Sequence, residues 1–216
     1  MRAHEKFELE SKLARIEFMR FQLAAIELKR ILDKNEPFDF MTYVKSGRVL
    51  LVGEGNLSFS LALAQLAESE LNDMTSTTFQ GASEYTETTS NNAKALRTRG
   101  VTVIAGVDAT NLTKWFGSSK FDLIVFQFPN VGSRSPLYGR NPNHVLVRRF
   151  LRSAAEQLGP GGKVAITAVN SPHYDGAFDV DGAAERNEYE SPVAYPFYFL
   201  IILGMPTSKR KMTAQV

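Results

Sequence analysis

A short apolar run that stops against two glycines constrains this chain more than any other stretch. Arg48-Val49-Leu50-Leu51-Val52 reads as a strand, and Gly53-Glu54-Gly55-Asn56 follows at once. Leu57 to Leu66 is rich in Leu and Ala, which suits a helix capped near Asn56 or Ser58. The first glycine permits a tight turn off the strand. The second lets the backbone approach a ligand where a Cβ would clash. A lone Gly-x-Gly is a weak signal, but strand, glycine turn and helix in that order open the nucleotide-binding α/β folds. A dinucleotide fingerprint would put a third glycine three residues after Gly55, where this chain has Ser58.

The following segments repeat the alternation. Thr75 to Gly81 reads as a second strand, Thr86–Arg99 as a helix ended by Gly100, and Val101 to Val107 as a third strand. Phe121-Asp122-Leu123-Ile124-Val125-Phe126 is a continuous β-rich run of the kind buried on both faces. In Asn143–Leu158, the residues Val147, Phe150, Leu151, Ala154 and Leu158 keep helical spacing. Gly159-Pro160-Gly161-Gly162 is expected to break that helix, with a strand over Lys163 to Val169, a polar excursion over 170–194 and a last strand over Phe197 to Leu203. Strands alternating with helices predict a mostly parallel, doubly wound Rossmann-like sheet.

This domain is expected over 47–216, preceded by an extension and linker over 1–46. Within the extension, Leu9, Leu13, Ile16, Met19, Leu23 and Ile26 recur at spacings of three and four, which predicts one long amphipathic helix over 5–33. It is read as an appendage packing on its own domain; a homodimer through this helix is the alternative. Asn35 to Ser46 reads as a linker with a turn at Pro37. Cysteine is absent, which rules out disulfides and thiolate metal sites and suits a cytoplasmic setting. No apolar run is long enough to cross a bilayer, so no membrane partner is expected, and no metal site is expected either. A net charge of +2 neither demands nor excludes a nucleic acid, so any basic patch must be local.

Two acidic residues are candidates for holding a nucleoside. Glu84, after the second strand, could accept hydrogen bonds from both hydroxyls of a ribose; Asp73 has a closer spacing to Gly53 but precedes the strand. Asp108, closing the third strand in Gly106-Val107-Asp108-Ala109-Thr110, could accept from an adenine amino group. The plain alternatives are a solvated carboxylate and a turn aspartate.

Leu51-Val52-Gly53-Glu54-Gly55-Asn56-Leu57-Ser58-Phe59-Ser60 resembles the signature of the ribosomal RNA uridine-N3 methyltransferase family, which includes a eukaryotic 25S enzyme. Gly106 to Thr110 resembles its second landmark, Phe121-Asp122 through Phe128-Pro129 and Gly132 its third, and Pro172-His173-Tyr174-Asp175 a Pro-x-Tyr element. The resemblance covers about residues 48–200. It implies a class I methyltransferase that binds S-adenosylmethionine through Gly53, Glu54, Gly55, Asn56, Ser58, Glu84, Asp108 and Ala109, and that modifies rRNA. It implies a cytoplasmic location, or a nucleolar one in a eukaryote. Gln127 stands where the family has Asn, and Asn130 where it has His.

Methyl transfer to a uridine N3 needs alignment of nucleophile, methyl and sulfur, and removal of the N3 proton. Gln127, Phe128, Pro129 and Asn130 leave the fourth strand at its carboxyl end, where open α/β sheets bind ligands. Gln127 or Asn130 could hold the Watson–Crick edge of a base, and Phe128 could stack on its face. Neither amide is a base; His173 and Asp175 are candidate proton acceptors. Arg134, Tyr138 and Arg140 are candidate RNA contacts, with His144, Arg148, Arg149 and Arg152 close behind. Surface charge alone would also account for these arginines. A small-molecule methyltransferase and a non-catalytic cofactor-binding protein are the competing functions.

Overall fold

The computed structural model describes residues 39–67, 70–133, 135–137, 139–169, 176–196 and 212–215. The helix expected over 5–33, the strand expected over 197–203, and Arg134, Tyr138, His173 and Asp175 lie outside them. The chain divides into two compact units, Met1–Asp39 and Phe40–Val216; the sheet belongs to the second.

That sheet is seven-stranded, in the order β3-β2-β1-β4-β5-β7-β6. Its strands are β1 Arg48–Val52, β2 Asp73–Thr78, β3 Thr102–Ala105, β4 Phe121–Gln127, β5 Leu158–Val169, β6 Ala194–Pro196 and β7 Met212–Gln215. β1 to β5 pair in parallel, while β7 runs antiparallel to both β5 and β6. The expected Rossmann-like, mostly parallel α/β fold is borne out. The helices are α1 Phe40–Ser46, α2 Ser58–Ala67, α3 Glu87–Thr98, α4 Thr113–Phe116, α5 Pro142–Ala155 and α6 Val180–Glu185.

The central strands are buried on both faces, as their unbroken apolar runs require: Val49, Leu50, Leu51, Leu123, Ile124 and Val125 are all fully buried. On one side, Leu50, Ile124 and Ile166 pack against Val147, Phe150, Leu151 and Ala154 of α5. Phe126 meets Phe150 edge to face, with ring centroids 5.0 Å apart. α2 buries Phe59, Ala62, Leu63 and Ala67. β2 is also buried although it reads Asp-Met-Thr-Ser-Thr-Thr. Its hydroxyls find partners: Ser76 Oγ donates to Ser60 Oγ at 2.7 Å, and Thr77 Oγ1 to the Leu51 carbonyl at 3.1 Å. Paired polar groups are tolerated inside where orphaned ones are not.

Several boundaries differ from expectation. Part of the expected linker is α1: Val44 is buried, Phe40 packs edge to face on Phe59, and Gly47 N donates to Tyr43 O to end the helix. Two apolar residues in one turn are too short a pattern to read. α5 stops at Ala155, because Leu158 pairs with Phe121 in the sheet. The segment 159–162 therefore belongs to β5, with a register shift between Phe121 and Leu123. The excursion over 170–194 contains α6, whose Val180, Ala183 and Ala184 join the main core.

Candidate cofactor and acceptor site

The site grows from the carboxyl ends of the parallel strands. Register pairs Val52 with Phe126, so the glycine turn and Gln127 leave neighbouring strands at one level. Backbone hydrogen bonds then tie the loops together. Glu54 N donates to Thr77 O, Val107 N to Thr78 O, and Gly106 N to Gln80 O, each at 2.9 Å. The loops after β1, β2 and β3 thus form one rim.

The two glycines have different physical tasks. Gly53 sits at φ +64°, and a Cβ there would lie 2.6 Å from the Phe126 ring. It is needed by the fold. A Cβ at Gly55 would meet no protein atom within 4 Å. That open space is where a ligand can come against bare backbone. The left-handed position that follows is Leu57, at φ 63° and fully buried, rather than Ser58. Leucine there stores backbone strain on the order of 1–2 kcal/mol, offset by burial of its side chain.

Asn56 and Ser58 begin α2: Asn56 Oδ1 accepts from Ser58 N at 3.1 Å. The Asn56 carbonyl in turn accepts from Asn92 Nδ2 at 2.8 Å, which fixes the loop to α3. Asn92 was not among the expected residues, since its role depends on tertiary contact.

Glu54 points inward. It is 5% exposed, its Oε2 accepts from Ser60 N at 3.2 Å, and its Oε1 is buried without a hydrogen-bond partner among the described residues. Burial raises its carboxyl group to about 7, against the smaller lowering from the Ser60 hydrogen bonds. The side chain is buried beneath the loop and ties it to the first turn of α2.

Of the expected acidic residues, Asp73 starts β2 and pairs with Arg48 Nε at 2.7 Å, at the edge opposite the glycine turn. Glu84 is exposed in a single 3-10 turn, and its Oε2 accepts from Gly81 N at 2.7 Å. Asp108 is exposed, and its Oδ1 accepts from both Thr110 N and Thr110 Oγ1 at 2.8 Å, the turn-aspartate geometry. Ala109 beside it is buried. The residues that leave β2 directly are Phe79 and Gln80. Phe79 is 71% exposed, between backbone ties to both neighbouring loops. An aromatic held at a rim and left in solvent is a feature that spacing from Gly53 does not reveal.

On the acceptor side, Gln127 is 9% exposed and its Oε1 is buried without a partner among the described residues. Phe128 is 37% exposed at φ 50°, with its N donating to Thr167 O at 2.9 Å. A left-handed non-glycine residue at this edge is stored strain of the kind concentrated at functional sites. Pro129 is buried. Asn130 is exposed, and its Oδ1 accepts from Gly132 N at 2.9 Å. Asn143, in the first turn of α5, accepts from Val131 N and so anchors the end of this loop. Among the described residues, no group of His, Asp or Glu side chains could hold a metal ion.

The family model described as rRNA (uridine-N3-)-methyltransferase BTM5-like matches residues 50–199. The mouse protein (Mus musculus) called ferredoxin-fold anticodon-binding domain-containing protein 1 homolog is 38% identical over 124 residues, which are 56% of this chain and 19% of that protein. The chain thus spans about a fifth of the length of that relative. A methyltransferase from Pyrococcus furiosus has a TM-score of 0.50 at 20% identity, covering 81% of this chain and 77% of its own. The glycopeptide N-methyltransferase MtfA has a TM-score of 0.50 at 15% identity, covering 88% of both chains. At such identities the structural likeness speaks for the fold, which is that of class I methyltransferases.

Proposed function

Because this chain belongs to the rRNA (uridine-N3-)-methyltransferase BTM5-like family of S-adenosylmethionine-dependent enzymes, we propose that it methylates N3 of a uridine in ribosomal RNA. The observation that carries the reading is the meeting of an open glycine turn with a buried amide, Gln127, whose oxygen has no partner among the described residues, on adjacent strands. With an rRNA substrate goes a cytoplasmic site of action, or a nucleolar one in a eukaryote.

The residues present fit S-adenosylmethionine. The space at Gly55 admits a ligand against backbone N–H groups at the start of α2, and Asn92 holds that turn in place. Phe79 offers an aromatic face to a nucleoside. Asp108 has committed Oδ1 to Thr110, leaving Oδ2 for an amino group. Glu84 or Gln80 serves the ribose. When bound, S-adenosylmethionine supplies a methyl group already activated by its sulfonium.

The protein's own task is then to orient the acceptor. A buried amide oxygen without a partner costs about 1–3 kcal/mol, and an N–H of the base would satisfy it as the base enters, before N3 gives up its proton. A carboxamide accepts a hydrogen bond but takes no proton, so Gln127 positions the base and the N3 proton passes to water. Phe128, left-handed and partly exposed, supports the base by stacking, and Asn130 keeps its NH2 group for a base carbonyl.

The test is transfer of labelled methyl from S-adenosylmethionine to rRNA, with nucleoside mass spectrometry of RNA from cells with and without the gene. Gln127→Leu should keep fold and cofactor binding while transfer falls about 100-fold, the scale seen on loss of one positioned hydrogen-bonding group. Identical 3-methyluridine in both RNA samples would remove the rRNA substrate; label recovered only in small metabolites would favour a small-molecule enzyme.

A further inference from the structure

A cavity of about 560 Å³ opens between α5 and α6, away from the glycine turn. Among the described residues, five arginines line it, Arg140, Arg148, Arg149, Arg152 and Arg186, against one carboxylate, Asp179. His144, Arg148 and Arg152 recur at i, i+4 and i+8 on α5, which stacks them at about 6 Å per step along the axis. Like charges one turn apart lower helix stability by a few tenths of a kcal/mol. Among the described residues, no ion pair relieves Arg140, Arg148, Arg152 or Arg186. Asp179 instead folds its carboxylate over Gly182.

The walls of this cleft are fixed. Asn187 Nδ2 donates to the Arg148 carbonyl at 3.2 Å and to the Ala183 carbonyl at 2.7 Å. Tyr189 Oη donates to the Leu151 carbonyl at 2.9 Å, and the His144 ring bonds the Gly176 carbonyl. Val180, Ala183 and Ala184 pack into the same core as Val147, Phe150 and Leu151. The two helices that carry the charges are therefore fixed against each other, which keeps the positive side chains on one cleft and suits recognition of a polyanion.

Its orientation says which polyanion. The Arg140 and His144 end adjoins Asn141, which caps α5, and Asn143, which is bonded to Val131 in the loop leaving β4. The Arg152 end lies two turns further, about 12 Å from His144 along the axis. A strand lying in the cleft thus runs from the acceptor loop outward.

We infer that the cleft between α5 and α6 is the phosphate track of the RNA substrate, with Arg140, Arg148, Arg152 and Arg186 gripping the backbone while the target base enters beside Phe128. This rests on the RNA reading of the acceptor site. The experiment measures anisotropy of a short fluorescein-labelled oligouridylate with the full chain across a salt series. Each phosphate contact contributes a slope of about 0.7 in log K against log salt for a single strand, so two contacts are worth about 25-fold at about 0.1 M salt.

Arg148→Gln/Arg152→Gln should lose about 25-fold with a slope shallower by about 1.4, at unchanged calorimetric affinity for S-adenosylmethionine. Arg186→Gln, on the opposite wall, should lose about 5-fold. Lys94→Gln/Arg99→Gln removes equal charge from α3 and its end and should leave affinity unchanged. Unaltered binding by both cleft variants, or an equal loss in the Lys94/Arg99 control, overturns the inference. If the wild-type chain methylates RNA and the cleft variants do so equally well, the track is wrong and the RNA reading stands. No wild-type binding to RNA overturns both.

Discussion

Glu54→Gln isolates one physical term. The carboxyl group is 5% exposed beneath the glycine turn, and burial raises it from 4.5 to about 7. Each unit is worth 1.36 kcal/mol between the two protonation states, so the shift corresponds to about 3 kcal/mol. The sign follows from proton counting. Between the unfolded and folded values the native state holds the proton and the unfolded chain does not. Stability therefore falls as pH rises from about 4.5, and levels off above about 7 once both states are ionised. Glutamine keeps an oxygen to accept from Ser60 N but cannot ionise. Its NH2 group replaces the unpartnered Oε1 and adds an offset of about 1–3 kcal/mol that does not vary with pH.

The prediction is thus a difference of differences. Urea unfolding of wild type and Glu54→Gln, measured at several pH values, should show wild type losing about 3 kcal/mol relative to the variant between about pH 4.5 and 8.5. Other titrating groups are common to both proteins and cancel. A difference constant to within about 1 kcal/mol over that range would refute the argument that this carboxyl group is neutral in the folded protein.

Gly53→Ala should destabilise the protein by about 2–4 kcal/mol in urea unfolding, from a left-handed alanine and a Cβ pressed into Phe126. Gly55→Leu should leave stability within about 1 kcal/mol yet abolish S-adenosylmethionine binding by calorimetry, because its side chain fills space that no protein atom occupies. Phe79→Ala should weaken cofactor binding by about 5-fold or more, from about 1–3 kcal/mol of lost stacking, with unchanged thermal stability since the ring is largely in solvent. Asn92→Ala should raise the cofactor Kd about 5-fold, the equivalent of the ~1 kcal/mol hydrogen bond to the Asn56 carbonyl.

The parallel core was legible because its signals are local. An apolar run such as Leu123-Ile124-Val125 needs two covering layers wherever it lies, and Gly53 between strand and helix needs only its neighbours to be read. The limits of α5 were not legible, because Leu158 has helical spacing and a strand partner, and only the ladder with Phe121 decides between them. α1 and α6 escaped because seven and six residues hold too few apolar positions to define a period.

The site divides along the same line. The glycine turn is legible from the motif, because Gly53 and Gly55 sit between strand and helix, whereas side chains beyond it can only be proposed by counting from it. Counting led to Glu84 because the loop after β2 has no acid nearer the strand end. Backbone bonds from Val107 to Thr78 and from Gly106 to Gln80 also hold Phe79 at the rim, which no count from the motif shows. The arginine cleft needs still more: residues 140–152 and 179–187 carry no shared pattern, and only the docking of α6 on α5, through Asn187 and Tyr189, turns scattered surface charge into a cavity. The sequence leaves this helix face open between RNA contacts and solvated charge, and a second element that walls it in is what makes it a cleft. Local sequence limits what a backbone can bind, while the polarity of a binding surface is set by which helices the core brings together.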